Sequence, residues 1–446
     1  MESVALASLG IWLVTGMAAM LCLRKSPLNL FVIALGVNAL IGTFCPLIML
    51  WVEPLTWRNL SSYTNGLAAY VQLNYLAFAA GLFLAAALAS AAPRMAAQAS
   101  IRRETHSRDL FVSASLVFIG LAAYSLYVAT VGLDVLVDSA NRAEKYRVSR
   151  GLGPLYIGMN MMIVGCLWAE AGQLSRKCKW LFRAVAAAII VWALAFLAVR
   201  WYAVALLLGY AYLYCSEHRI SVRRIPLRVF VALSALVVFA ETIMLVRGAI
   251  ATGAEGLPEA IELLKRDPSL LSAAIGGSEL AQPFITFAEA VSNRMDFALG
   301  SGLSYMNELL TLIPTFAIGD RPETLAQLFV LHNYPDLETS GGGTGFTMVG
   351  EAWVNFGHVL GPAVVGVAYG LALLAAERGA LQRPDSVVAR ILPALVVTIV
   401  MAERTTLVIT LKQVLIVLIP VIALVVTYKI ARDAALRHQL ELLPEE

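Results

Sequence analysis

The sequence predicts an all-α, polytopic integral membrane protein with about eleven transmembrane helices and one large helical loop on the outer face. Three observations predict it. Of 446 residues, 59% are hydrophobic and only 14% charged, with a mean hydropathy of +0.76. Apolar runs of the ~20 residues a helix needs to cross a bilayer recur along nearly the whole chain. The breaks between them alternate in basic content, as the positive-inside rule requires.

The first spans are expected at Val4 to Leu23, Leu28 to Val52, Leu67 to Ala92, Leu110 to Val131 and Leu155 to Gly172. The run from Leu181 to Cys215 is too long for one crossing and carries Arg200 near its centre, so it reads as two short spans. An eighth follows from Val229 to Val246, and the last three at Phe346 to Ala376, Ile391 to Ala402 and Thr405 to Tyr428. Residues 1–23 lack the basic start of a signal peptide and run straight into further spans, so they are read as the first span. The chain thus divides into 1–246 (spans one to eight), 247–345 (the large outer loop) and 346–446 (spans nine to eleven and the C-terminal tail).

Twenty of the 33 basic residues fall in alternate breaks: 24–25, 94–108, 176–183, 219–228, 378–390 and 429–437. That face is expected to be cytoplasmic, with the N-terminus outside and the C-terminus inside. The cysteines Cys22, Cys45, Cys166, Cys178 and Cys215 are odd in number, lie in or beside apolar runs and form no C-x-x-C pair, which predicts buried thiols.

Basic residues on the outer face run against the general bias and need a reason. One outer loop, residues 141–153, holds Arg142, Arg147 and Arg150 followed by Gly151 and Gly153. Guanidinium forks beside glycines that let backbone N–H groups approach a ligand form an anion cradle. Arg200, Arg247 and Arg404 map to the same outer boundary, and Lys412 inside the last span extends the positive face. An arginine in hydrocarbon costs on the order of 2.5–3.5 kcal/mol on insertion scales, so these positions point to an anionic ligand, with snorkelling as the alternative.

The segment Arg247 to Gly345 carries five basic and twelve acidic residues, a net of −7, which excludes a nucleic-acid surface. Its aromatics Tyr305, Tyr334, Phe284, Phe287 and Phe297 suit stacking against sugars. Helix starts are expected at Asp267-Pro268 and at Asp320 with Glu323, and the segment reads as short helices lying over the membrane surface, ending in the glycine run of residues 340–345. In the ninth span, Glu351, Asn355 and His358 at i, i+4 and i+7 share one helical face. Lipid offers them no partners, so they read as functional or as a hydrogen-bonded seam between helices. Nucleotide-binding, zinc-hydrolase and α/β-hydrolase motifs are absent, as is D-x-D, so no metal and no cofactor is expected.

Many spans, one large outer loop in the C-terminal third, an arginine near a short turn, and Gly350-Glu351-x-x-x-Asn355-Phe356-Gly357 opening the next helix resemble the O-antigen polymerase family (Wzy-type oligosaccharide repeat-unit polymerases) of bacterial inner membranes. Trp353 stands where the family pattern has Tyr. The resemblance implies a glycosyltransferase in the inner membrane that moves a glycan chain from an undecaprenyl-pyrophosphate carrier to the sugar of another carrier-linked repeat unit at the periplasmic face. It implies lipid-linked oligosaccharides, the lipid bilayer, a chain-length regulator and a flippase as partners. On it, Arg142, Arg147 and Arg150 match the basic outer loop, Arg200 and Arg247 the boundary arginines, and Arg404 the arginine of the last helical pair. Glu351 is the first candidate for the base, ahead of Glu241, Glu403, Glu53, His332 and His358, because desolvation raises a carboxylate's pKa towards working pH. An O-antigen ligase, a lipid-linked oligosaccharide transporter and a non-enzymatic regulator of chain length are the alternatives.

Overall fold

The computed structural model describes residues 2–23, 30–49, 65–91, 105–137, 155, 157–195, 200–217, 262, 266, 282–292, 295, 302–311, 313, 322–335, 346–402 and 405–441. Helices account for nearly all of them and no strand occurs among them. In chain order they are α1 (Glu2–Leu23), α2 (Leu30–Met49), α3 (Asn65–Ala91), α4 (Thr105–Val131), α5 (Leu133–Val137), α6 (Gly158–Ala171), α7 (Arg176–Ala195) and α8 (Arg200–Glu217). Then come α9 (Gln282–Ser292), α10 (Leu303–Leu310), α11 (Leu325–Asn333), α12 (Met348–Phe356), α13 (Leu360–Gln382), α14 (Val387–Ala402) and α15 (Leu407–Glu441).

Among the described residues, five helical stretches are long and apolar enough to cross a membrane: Ser3–Leu21, Gly66–Ser90, His106–Val131, Leu360–Gln382 and Leu407–His438. Leu30–Phe44 and Val387–Val400 are apolar but shorter. Large apolar side chains face outward along them, such as Leu6 and Leu13 on α1, Phe118 on α4 and Ile419 on α15, as lipid contact requires. Helices α7 and α8 cover the described part of the 181–215 run, and residues 196–199 between them lie outside the described residues. The expected eighth span lies outside the described residues. Of the cysteines described, Cys166 and Cys215 are buried and Cys178 is half-buried, all free thiols.

The ninth span differs from expectation. It is two helices, α12 and α13, separated at Gly357, whose φ of 85° turns the chain where a helix would have continued.

The chain divides into two compact units. Unit 1 comprises Met1–Pro93, Cys215–Ala375 and Ile399–Leu411. In it α1, α2 and α3 pack together, and one buried amide ties them: Gln72 Nε2 donates to Ser8 Oγ at 2.8 Å and to the Gly42 carbonyl at 3.1 Å. Small residues let α3 and α13 approach backbone to backbone, since a Cβ on Gly81 would sit 2.2 Å from the Ala363 oxygen and one on Gly366 2.5 Å from the Phe78 oxygen. Helix α9, expected on the membrane surface, is instead buried from Pro283 to Ala290 against α2 and α3. Phe284 and Phe287 pack on Tyr75 as core, not as a sugar platform. Phe297 and the Asp267-Pro268 pair lie outside the described residues. The start of α11 is set by Thr324 and Gln327, which form a capping box, and not by Asp320 with Glu323.

Unit 2 comprises Arg94–Tyr214, Ala376–Thr398 and Lys412–Glu446. Here α4 crosses α6 at Gly120 and Gly158, where an added Cβ on either would lie 2.5 Å from the other's carbonyl oxygen. Three of the breaks expected on one face meet at one end. Buried Asp109 accepts the Gln173 N–H at 3.1 Å and pairs with Arg390 at 3.3 Å; Arg390 also pairs with Asp385 at 3.1 Å. Arg108 donates to the Asp385 carbonyl at 3.1 Å, and Arg183 grips Glu170 with two bonds of 2.9 and 2.7 Å.

The α3–α13 crossing generates a prediction. Gly81→Ala should destabilise the purified protein by about 1–3 kcal/mol, lowering its melting temperature in detergent, because backbone atoms cannot yield as a side chain can. Gly16→Ala, which meets nothing within 4 Å, should leave it unchanged or slightly raised.

Candidate functional site

The Glu351-to-Asn355 stretch sits at the centre of a polar cluster in unit 1. Four pieces of chain, distant in sequence, contribute to it: α10 and α11 of the long segment, α12, and the start of α15. On α12, Thr347 caps the helix by accepting the Gly350 N–H at 2.9 Å, and residues 348–355 are buried, so the polar side chains of that helix have only protein to bond.

Each carboxylate of the cluster rests on a helix N-terminus. Glu351 Oε2 accepts the Leu407 N–H, the first of α15, at 2.7 Å, and Oε1 accepts from Ser304 Oγ at 3.4 Å. Glu308, one turn beyond Ser304 on α10, accepts the Leu325 N–H, the first of α11, at 3.2 Å with Oε1, and the Thr406 hydroxyl with Oε2. Thr406 in turn accepts the Ile409 N–H at 3.4 Å, so it caps α15 while holding Glu308. Unpaired N–H groups at a helix start attract anions, and consecutive residues Thr406 and Leu407 thus hold one carboxylate each.

Asn355 completes the cluster. Its Nδ2 donates to Ser304 Oγ at 2.5 Å and to the Glu351 carbonyl at 2.8 Å, and its Oδ1 accepts the Ser304 N–H near the start of α10 at 3.3 Å. Gly302, with φ of 82°, precedes that helix.

Both Glu308 and Glu351 are 0% exposed. Helix α10 is not among the spanning stretches, and α12 ends before the span that begins at Leu360. Burial pushes the Glu308 carboxyl above its usual range, against the Thr406 and Leu325 donors, which pull it down. Burial first and the Glu308 charge second push Glu351 well above that range, and the Leu407 and Ser304 donors act the other way.

Glu351, expected as the base, is fully buried here with both oxygens hydrogen-bonded, and it ties α10 and α12 to the start of α15. Glu351 and Asn355 share a face, but His358 leaves that stripe because the helix stops at Gly357. His358 stacks instead on Tyr70 of α3.

Arg200 is the first residue of α8 and Lys412 the sixth of α15. His332 is exposed in the last turn of α11. Arg142, Arg147, Arg150, Arg247 and Arg404 lie outside the described residues, as do Glu53, Glu241 and Glu403 and the glycine run. Sequence patterns alone missed Ser304, Glu308, Thr406, Tyr70 and Asn74. The i, i+4 spacing of Ser304 and Glu308, repeated by Glu351 and Asn355, was the signal that could have paired the two helices.

No family model, curated protein or solved structure matches the chain.

The raised carboxyls imply a pH dependence. A carboxyl with a raised folded-state pKa contributes stability that is full below its unfolded value, about 4.5, and is lost as the pH rises through the folded value. The melting temperature in detergent should therefore fall from acid towards neutral pH. Glu308→Gln, neutral throughout, should flatten that fall; an unchanged slope would show that Glu308 does not carry it.

Proposed function

We propose that this protein is a glycosyltransferase that polymerises undecaprenyl-pyrophosphate-linked oligosaccharide repeat units at the periplasmic face of a bacterial inner membrane. One observation carries the proposal: the motif behind the resemblance, Gly350 to Gly357, is the centre of the buried cluster that joins the long segment to the ends of spanning helices. The cluster fixes α10, α11 and α12 at the N-terminus of α15, while His358, just before α13, reaches Tyr70 in the second turn of α3. Helices α3, α13 and α15 begin at the ends expected to face the periplasm, so on this reading the non-spanning helices are held where a lipid-linked donor would present its sugar.

The reaction needs a pyrophosphate leaving group stabilised as its bond to the anomeric carbon breaks, and an acceptor hydroxyl that loses its proton. Guanidinium groups at the outer boundary supply the first; they stabilise charge most where it develops, in the transition state. Arg200 and Arg404 are assigned to that role, and Arg142, Arg147, Arg150, Arg247 and Lys412 to binding the donor's phosphates. Asn355 positions α10, and Glu351 the start of α15. The chain would work beside a flippase that delivers the repeat unit and a regulator that sets chain length.

Complementation of a strain lacking the protein tests the arginine roles. Arg200→Ala and Arg404→Ala should each abolish the polymer ladder on a glycan gel with expression intact, and Arg→Lys should restore it only partly, because an ammonium cannot form the bidentate fork. Full polymer length in both alanine variants would remove the arginine assignment.

A further inference from the structure

His358 is exposed, yet its ring is held in one orientation. It lies flat on Tyr70, with centroids 4.1 Å and planes 11° apart, and Tyr70 is itself fixed by a 3.1 Å bond from Trp353 Nε1 to its hydroxyl. The His358 Nδ1 sits 3.2 Å from Asn74 Oδ1.

The other partners of Asn74 define its amide. Its Nδ2 donates to the Tyr70 carbonyl at 2.9 Å, and its Oδ1 accepts the Val359 N–H at 3.0 Å. A carbonyl oxygen only accepts, so the proton between Asn74 and His358 belongs to Nδ1. In the neutral ring the lone pair is then on Nε2.

His358 lies between α12 and the span beginning at Leu360, and burial of part of the ring lowers it from the ordinary histidine value, favouring the neutral form. Among the described residues Tyr70 is the titratable group facing it from α3, and Glu351 of α12 is bonded to Ser304 and Leu407. Glu351 is thus enclosed, while His358, another of the base candidates, is exposed.

We infer that His358 Nε2 is the proton acceptor for the acceptor-sugar hydroxyl, with Asn74 as the positioning residue that fixes the tautomer; this rests on the polymerase reading. The hydroxyl proton passes to Nε2 while the oxygen bonds to the anomeric carbon of the donor. The bond from that carbon to the pyrophosphate oxygen breaks, and its electron pair leaves with the lipid pyrophosphate. The imidazolium then returns the proton to water.

The test uses the full chain in lipid nanodiscs with a lipid-linked repeat unit as substrate. His358→Gln should lower kcat about 10²–10⁴-fold with KM little changed. The wild-type rate should fall on the acid side as His358 becomes protonated. Asn74→Asp should move that acid limb to higher pH, because a carboxylate favours the imidazolium. Nitrogen-15 spectra of the labelled histidines, five in the chain, should show His358 as the Nδ1–H tautomer. A near-wild-type rate in His358→Gln, an unmoved acid limb in Asn74→Asp, or an Nε2–H tautomer would each overturn the inference. A wild-type chain that makes no polymer at any pH would instead overturn the polymerase reading, so the two failures are distinct.

Discussion

The bond between the Glu351 carboxylate and the Leu407 N–H is the contact on which the candidate site depends. A membrane helix that begins at protein depth leaves its first N–H groups without water, and lipid cannot replace it. Here the chain satisfies the start of α15 with its own carboxylates, one directly and one through Thr406. Removing Glu351 would leave the Leu407 N–H without its acceptor, a cost of about 1–3 kcal/mol, and would leave the Ser304 hydroxyl with only its bond from Asn355. The same bonds join α10, α11 and α12 to a spanning helix, so local satisfaction and tertiary placement are one event.

That arrangement separates two jobs which a sequence pattern merges. Buried acids with every oxygen engaged build the scaffold, while the exposed His358 imidazole has only its Nδ1 engaged among the described residues. On the polymerase proposal, the group that takes a proton from a large glycan has to be reached by it, and exposure separates candidates that composition cannot rank. Rigid support from Tyr70, Asn74 and Trp353 keeps that group oriented without enclosing it.

Much of the architecture was legible because hydrophobic runs and basic breaks are direct consequences of bilayer thickness and charge. The limits of α1, α3 and α4 fall within a few residues of expectation. What was not legible depended on long-range pairing. Continuous hydropathy through Gly357 hid the turn that divides α12 from α13, and the apolar face of α9 reads the same whether it lies on a membrane or inside a bundle. Glu351 and Asn355 were visible from helical spacing, but Glu308 was one acid among twelve in its segment until the fold placed it at two helix starts.

The central claim is that this chain alone joins lipid-linked repeat units. Purified full chain in liposomes, given only undecaprenyl-pyrophosphate-linked repeat unit, tests it by mass spectrometry of the lipid-linked products. Products longer by whole repeat units, with free undecaprenyl pyrophosphate released in step, are the predicted result. Substrate that stays one unit long, whether or not it crosses the bilayer, would contradict the claim.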